Sequence, residues 1–472
     1  MKSNFLKRYV GDRTFYKTLL VLIIPMVVQQ GITNFVSLLD NLMVGALGTE
    51  MMSGVAIVNQ LFFVYNISLF GILSGVSIFG AQFYGMGDHN GMRHATRLKL
   101  YCGVVGTVFA IVLLLSCGPE LVGLFLNREN NTAAALAATL EGAMSYLRVI
   151  VWGFPPFMVV MVYAGTLREA GETFVAMVAG LAAVTVNLTG NYLLIFGHFG
   201  FPRMGAAGAA LATVLSRWVE MTILVVYAHR STARFPFFSG LYASAHVPLN
   251  LMRKVLITGS PLMANELLWS LGTTFVNQNY STRGLVVVAA VNITATCWNL
   301  FCVIMFAMGN AVAVLVGQKL GAGCIEEARD TDRKLMAFNL VLHIVIGLLM
   351  ILAAPVIPQL YNTEPEVRAL ACRLLMVAGA ALPIHAFIHC AYFTIRSGGK
   401  TVVTFFFDCV YTWLVPVPLS YVLCRYTALP VVAVYAAVQF SDAFKLLIAV
   451  PLLKSGFWAK NVVRQPESGL PE

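Results

Sequence analysis

The sequence predicts an all-α membrane protein of twelve transmembrane helices built as two six-helix repeats. Hydrophobic residues make up 59% of the 472-residue chain, charged residues only 11%, and the mean hydropathy is +0.79. A soluble domain carries about 25% charged residues. The apolar residues fall into runs of about 20, long enough for a helix to cross hydrocarbon with its own backbone hydrogen bonds satisfied. The second half also echoes the first. Pro25 recurs as Pro261, Gln82 as Gln318, Gly85 as Gly321, Gly87 as Gly323 and Arg97 as Arg333, each pair 236 residues apart. Pro155 and Pro383, Arg168 and Arg396, and Gly171 and Gly399 are 228 apart.

The predicted spans, in order, are 18–41, 54–82, 100–126, 142–166, 173–197 and 206–228, then 255–282, 286–318, 335–360, 371–395, 402–424 and 430–452. Pro25, Pro155, Pro261 and Pro383 mark helix kinks at matched places. Small residues end the second span (Ser74-Gly75 to Gly80-Ala81-Gln82) and the eighth (Gly309-Asn310-Ala311 to Gly317-Gln318). Gly205-Ala206-Ala207-Gly208-Ala209-Ala210 opens the sixth; all three stretches suit close helix packing in lipid. The expected division is an N-terminal lobe over 1–235, a polar connector over 236–253 and a C-terminal lobe over 254–472. Six spans per repeat make the lobes parallel, related by a pseudo-twofold axis along the membrane normal, with a shared cleft between them. That is a common build of secondary transporters.

The net charge of +10 does not indicate a nucleic-acid partner, because the basic residues are sorted by side. Lys2, Lys7, Arg93, Arg97, Arg253, Lys254, Arg329, Arg333 and Lys454 fall in segments on one side, whereas the opposite loops hold Arg128, Arg203, Arg283, Arg368 and Arg425. The positive-inside rule then puts both termini in the cytoplasm. The nine cysteines include no Cys-x-x-Cys pair and suggest neither a disulfide framework nor a zinc site. The first apolar stretch lacks a small-residue cleavage site and reads as a retained span.

Ionisable side chains inside hydrocarbon cost roughly 2.5–3.5 kcal/mol on insertion scales, so they mark candidate sites. Asp40 ends a polar stripe of Gln29, Thr33 and Ser37, about 34 Å along the first helix from Lys17. Asn187 and Asn191 on the fifth span reach a similar depth and complete a polar pocket with it. The alternative for Asp40 is a hydrogen-bonding role at the outer interface. Glu266 lies about 18 Å from Lys254, near the midplane, with Ser270, Thr273 and Asn277 following on the same face. Under the 236 spacing it matches Gln30, which joins the candidate set with Asn34. Glu266 suits a cation, a proton or a cationic substrate; the alternative is a neutral acid hydrogen-bonded to its neighbours. His385 and His389 are an i, i+4 pair, with His385 at the depth of Glu266; protonation suits His385, as does a satisfied core position. Asp408 either joins the Glu266 cluster or pairs with a cation such as Lys445. Lys445 itself matches Arg217 under the 228 spacing, and Arg217 has Glu220 nearby, which suggests charge-paired structural roles.

Taken together, these stretches resemble the MATE (multidrug and toxic compound extrusion) family of antiporters, in its bacterial form. The resemblance rests on Ile24-Pro25, Leu39-Asp40 through Leu47-Gly48, Gly80-Ala81-Gln82 with Gly85 and Gly87, Asn187 with Asn191-Tyr192 through Gly197, Gly205 through Ala210, and Asn265-Glu266 through Gly272. It covers nearly the whole chain in order. It implies two six-helix lobes around a central cleft, export driven by inward sodium or protons, and Asp40 as the first-span acid used for proton coupling. One branch of the family carries an acid where His385 aligns, and another carries one where Asn191 stands. The chain thus has one acid from each pattern, Glu266 and Asp40, without the partner acid of either.

The expected function is a cation-coupled (H+ or Na+) secondary antiporter exporting amphipathic, cationic organic compounds or drugs. It is expected to be monomeric and multi-pass in the bacterial inner membrane, with no cofactor beyond the coupling ion and the bilayer as its other partner. A lipid-linked precursor flippase of the same superfamily is the rival transporter. A polytopic membrane enzyme is disfavoured, because neither HExxH nor a nucleophile elbow occurs, and the absence of a Walker loop excludes an ATP-driven pump in this chain.

Overall fold

Many large apolar side chains point outward, among them Leu124, Trp152, Leu285, Leu352 and Leu447. The computed structural model describes residues 8–125 and 132–464, with the backbone alone at Leu38, Asn41, Leu42 and Thr49; Lys2, Lys7 and Arg128 lie outside the described residues. No strand occurs among the described residues. The principal helices are α1 (Arg13–Gly45), α2 (Thr49–Met86), α3 (His89–Ser116), α4 (Ala133–Glu169), α5 (Phe174–Phe196) and α6 (Ala206–Arg230). They continue as α7 (Leu249–Ser281), α8 (Leu285–Phe301), α9 (Val303–Gly321), α10 (Ile325–Ala353), α11 (Pro365–Ser397), α12 (Thr401–Tyr426) and α13 (Val431–Ser455).

Eleven of these helices are long and apolar enough to cross a bilayer. The 33-residue α7 is long enough but too polar, because Asn265, Glu266, Ser270, Thr273, Asn277, Gln278 and Asn279 interrupt it. With α8 and α9 as two pieces of one span, the architecture is the expected twelve-span, all-α membrane fold. On α3, Val105, Val108, Phe109 and Val112 are exposed, and on α10 so are Val341, Ile344, Val345 and Leu348. These are the same four positions of the repeat, 236 residues apart. In water such faces would be costly; in a bilayer they meet acyl chains.

Helix boundaries differ from expectation where charge was read as loop. The third span, expected over 100–126, begins at His89 and ends at Ser116; the ninth, expected over 335–360, runs from Ile325 to Ala353. Their first three turns carry charges and yet are helical, because the charges find partners. Lys99 is buried against Glu169 and Thr166, and Lys334 pairs with Asp330. The single span expected over 286–318 is divided at Cys302, where ψ is −5°. α12 contains a π-helical turn at Phe406–Val410 and a break at Val415 ahead of Pro416; α13 turns at Asp442. A 3-10 turn at Val151–Gly153 precedes Pro155 in α4, where proline removes a backbone donor.

The chain divides into two compact units. One comprises Met1–Ile23, Ile78–Asp88 and Lys254–Glu472; the other comprises Ile24–Ser77 and His89–Arg253. α1 changes unit immediately before Pro25, which lies inside the helix. The connector after α6 is docked rather than loose. Phe235, Phe237 and Phe238 are buried, and the Arg97 guanidinium donates to the carbonyls of Leu241 (2.7 Å), Gly240 (2.8 Å) and His246 (3.2 Å). In the other unit Gln82 holds the segment after α13: its amide donates to the Ser397 carbonyl (2.9 Å) and the Lys460 carbonyl (3.1 Å) and accepts from Val462 N (2.8 Å).

The repeated glycines serve two purposes: Gly87, Gly171, Gly323 and Gly399 take positive φ (+75°, +81°, +79° and +76°) at turns, whereas Gly85 and Gly321 are packing residues. A Cβ on Gly85 would strike the Gln318 carbonyl, and one on Gly321 would strike the Gln82 carbonyl. Repeat-equivalent residues at the ends of α2 and α9 therefore cross backbone to backbone, which only a missing side chain permits. A Cβ on Gly208 in α6 would likewise strike the Leu194 carbonyl of α5, which accounts for one of the small residues opening the sixth span. Substituting Gly321→Val should cost at least the 1–3 kcal/mol typical of overpacking, since backbone cannot yield as a side chain can. A thermal unfolding midpoint equal to that of the unmutated chain would refute this reading of the crossing.

Candidate functional site

In the unit of Ile24–Ser77 and His89–Arg253, the polar group is built on α1, α5 and α6. Asp40 is half-buried near the end of α1, and Asn191 Nδ2 donates to its carboxylate at 2.6 Å. Asn187, one turn earlier on α5, reaches the same acid. With its amide nitrogen toward Asp40 it stands 2.9 and 3.1 Å from the two carboxylate oxygens and accepts from Thr213 Oγ1 at 3.1 Å. Helical spacing places Asn187 and Asn191 on one face, and both are buried. The acid thus receives uncharged donors only from these neighbours. Arg217 of α6 acts on Asp40 through space but is bonded elsewhere: Glu220 on its own helix holds it at 2.7 Å, and it lies over the Phe157 ring at 5.3 Å. Gln30 and Asn34, also expected in the set, bond to one another at 3.0 Å.

The second unit holds a longer network. The Tyr392 hydroxyl donates to Glu266 Oε1 at 3.2 Å. Asn265 Nδ2 stands 3.4 Å from that hydroxyl and 3.3 Å from Asp408 Oδ2. Lys445 Nζ lies 3.1 Å from Asp408 Oδ1 and 3.8 Å from Asp442 Oδ1. Asp442 Oδ2 is 3.3 Å from His385 Nδ1, and His385 Nε2 meets Gln439 Oε1 at 2.9 Å. The chain of contacts runs from α7 through α11 and α12 to α13. Asp408 sits in the π-helical turn, a kind of bulge frequent at functional sites, and Asp442 at the tightened turn of α13, where Lys445 N donates to its carbonyl at 2.9 Å.

Asp408 does both things foreseen for it: it joins the Glu266 cluster through Asn265 and pairs with Lys445. The polar run expected below Glu266 is not part of the cluster's bonds. The Thr273 hydroxyl turns to the Ser270 carbonyl of its own helix, and Asn277 is exposed. The histidines separate as well. His385 joins the network, while His389 packs beside the Phe306 and Phe393 rings and against Gly309. Asn265, Tyr392, Gln439, Asp442 and Thr213 were missed. Asp442 had a signal, an ionisable residue three before Lys445 in an apolar span, and Asn265 is adjacent to Glu266. The neutral three follow only from how helices meet.

A membrane bundle with ionisable groups gathered on matched helices describes a transporter, and comparison with known proteins identifies the family. The MatE family model matches residues 25–193 and 261–422. The chain belongs to this MATE family, whose members are transporters rather than enzymes. It is 24% identical to the probable multidrug resistance protein NorM of Thermotoga maritima over 98% of each chain. Among solved structures, it superposes on an outward-facing multidrug resistance MATE family transporter of the MOP superfamily with a TM-score of 0.81, at 19% identity, covering 96% of this chain and 98% of that one. It matches a MOP superfamily transporter from Pyrococcus furiosus with a TM-score of 0.80, at 20% identity, covering 95% and 97%.

The Asp40–Asn191 contact is a charge-assisted hydrogen bond, worth about 1.5–3 kcal/mol on removal of one partner. A double-mutant cycle with Asp40→Asn and Asn191→Leu, read by thermal unfolding, should give a coupling of about 1 kcal/mol or more. Strict additivity would mean that the two side chains do not interact.

Proposed function

We propose that this chain is a cation-coupled antiporter that exports amphipathic organic cations, drugs among them, across a bacterial inner membrane, with both termini in the cytoplasm. The observation that carries the proposal is Asp40, a carboxylate on a spanning helix whose near partners are the neutral amides of Asn187 and Asn191. A carboxylate without a bonded fixed cation is open to a mobile one. Glu266 supplies a second acid, bonded to a tyrosine hydroxyl. The named relative supports drugs as cargo, the basic bias of the predicted inside segments supports the orientation, and acids in the membrane interior favour positively charged cargo over phosphate-linked lipid.

A proton on Asp40 converts an oxygen that accepts from Asn191 into a donor, and a sodium ion takes over the same lone pairs. Either change reorders α1 against α5 and biases the equilibrium between conformations, provided that cargo and coupling ion prefer different ones. Cargo that carries positive charge competes for the same electrostatic vacancy, which makes exchange obligatory.

Reconstituted liposomes given a pH gradient or a sodium gradient, one at a time, should expel a fluorescent organic cation under one of the two, and an ionophore for that ion should abolish the efflux. Asp40→Asn and Glu266→Gln should each reduce efflux to the level of empty liposomes while leaving folded protein in the bilayer. Efflux that survives both substitutions would remove the coupling mechanism.

A further inference from the structure

Lys445 is the least exposed cation among the described residues of its unit, 3% exposed. Its ammonium lies between the carboxylates of Asp408 and Asp442 and faces the rings of Tyr411 (4.9 Å) and Phe407 (5.9 Å). We propose that Lys445 is a tethered cation which occupies the Asp408–Asp442 cluster and so excludes sodium from that cluster, making it the residue that sets ion selectivity there. The inference rests on the proposed cation coupling and deepens it.

The repeat explains why the lysine is available. Lys445 matches Arg217, 228 residues earlier. Arg217 is held by Glu220 on its own helix, but the position matching Glu220 is Ile448, so Lys445 has no local acid one turn ahead. It reaches instead to Asp408 across to α12 and back one turn to Asp442. The two units therefore use their matched cations oppositely. One neutralises its cation on its own helix and leaves Asp40 to neutral amides; the other spends its cation on the acids. Two carboxylates within 4 Å of a single point are a strong cation trap in low dielectric, and an ammonium on a four-carbon stem fills it without the loss of freedom that a dissolved ion suffers. A sodium ion entering the cluster must displace that ammonium, which would then be left buried and unpaired, a heavily disfavoured state. Truncating the lysine leaves the opposite imbalance, two acids and no cation, and sodium then relieves it.

The test is sodium binding to the purified full chain, read by radioactive sodium equilibrium binding and by the shift of the unfolding midpoint in sodium chloride against choline chloride. Asp40→Asn provides the background, removing the other unit's acid. In that background, Lys445→Met should gain sodium binding at least about tenfold tighter than its parent, with a matching sodium-dependent rise in the midpoint. Lys445→Gln, which keeps a donor for Asp408 without the charge, should gain it too and serves if the methionine variant does not fold. Adding Asp408→Asn should abolish the gain. No gain in either folded lysine variant overturns the proposal. So does a sodium response that persists in Asp40→Asn alone and disappears on adding Asp408→Asn, a result that needs no lysine variant. Failure of gradient-driven efflux with this binding pattern intact would count against the antiport reading and leave the role of Lys445 standing.

Discussion

A charge inside hydrocarbon must find its partners within the chain, and most of this structure follows from that constraint. Lys99 is buried only because Glu169 and Thr166 meet it, and Lys445 only because Asp408 and Asp442 do. The same rule governs backbone. The π turn at Phe406–Val410 and the tightened turn at Asp442 coincide with acids that need neighbours, and Arg97 and Gln82 close off the segments that follow α6 and α13 by bonding to their carbonyls and amides. Where no polar group has to be answered, apolar side chains turn outward, as on α3 and α10.

Duplication supplied two copies of one six-span plan, and the copies have diverged in chemistry while keeping their packing. Gly85 and Gly321 still cross the carbonyls of Gln318 and Gln82. Thr166 and Thr394 are repeat-equivalent and both still bond buried charges, Lys99 in one unit and Asp332 in the other. Packing tolerates little change because backbone approaches backbone there. Polar clusters tolerate more, since a charge can be answered from several helices. The contrast between Asp40 among amides and Asp408 beside a lysine is a difference of that kind, and it separates an acid open to a mobile ion from one already answered.

Spans and repeats were legible because they are periodic and collective: loss of one residue scarcely alters a run of twenty. Asp40, Glu266 and Asp408 were legible because an acid in an apolar stretch is conspicuous, and Asn187 with Asn191 because depth along α5 can be counted. The run Ser270, Thr273 and Asn277 shows which face is polar and not what it meets; the Thr273 hydroxyl donates to its own helix's backbone. The starts of α3 and α10 misled because charge was taken as a sign of water, whereas Lys99 lies buried in an ion pair.

By itself the sequence determined the solvent, the number of crossings, the duplication and which helices carry ionisable groups, since each depends on composition or on distance along the chain. Only the tertiary structure decided which of those groups meet. That Lys445 reaches across to Asp408 as well as to Asp442 on its own helix, where Arg217 bonds only to Glu220 one turn on, depends on the rotation of α13 against α12. That rotation is set by side-chain packing between segments distant in sequence, which no local pattern records.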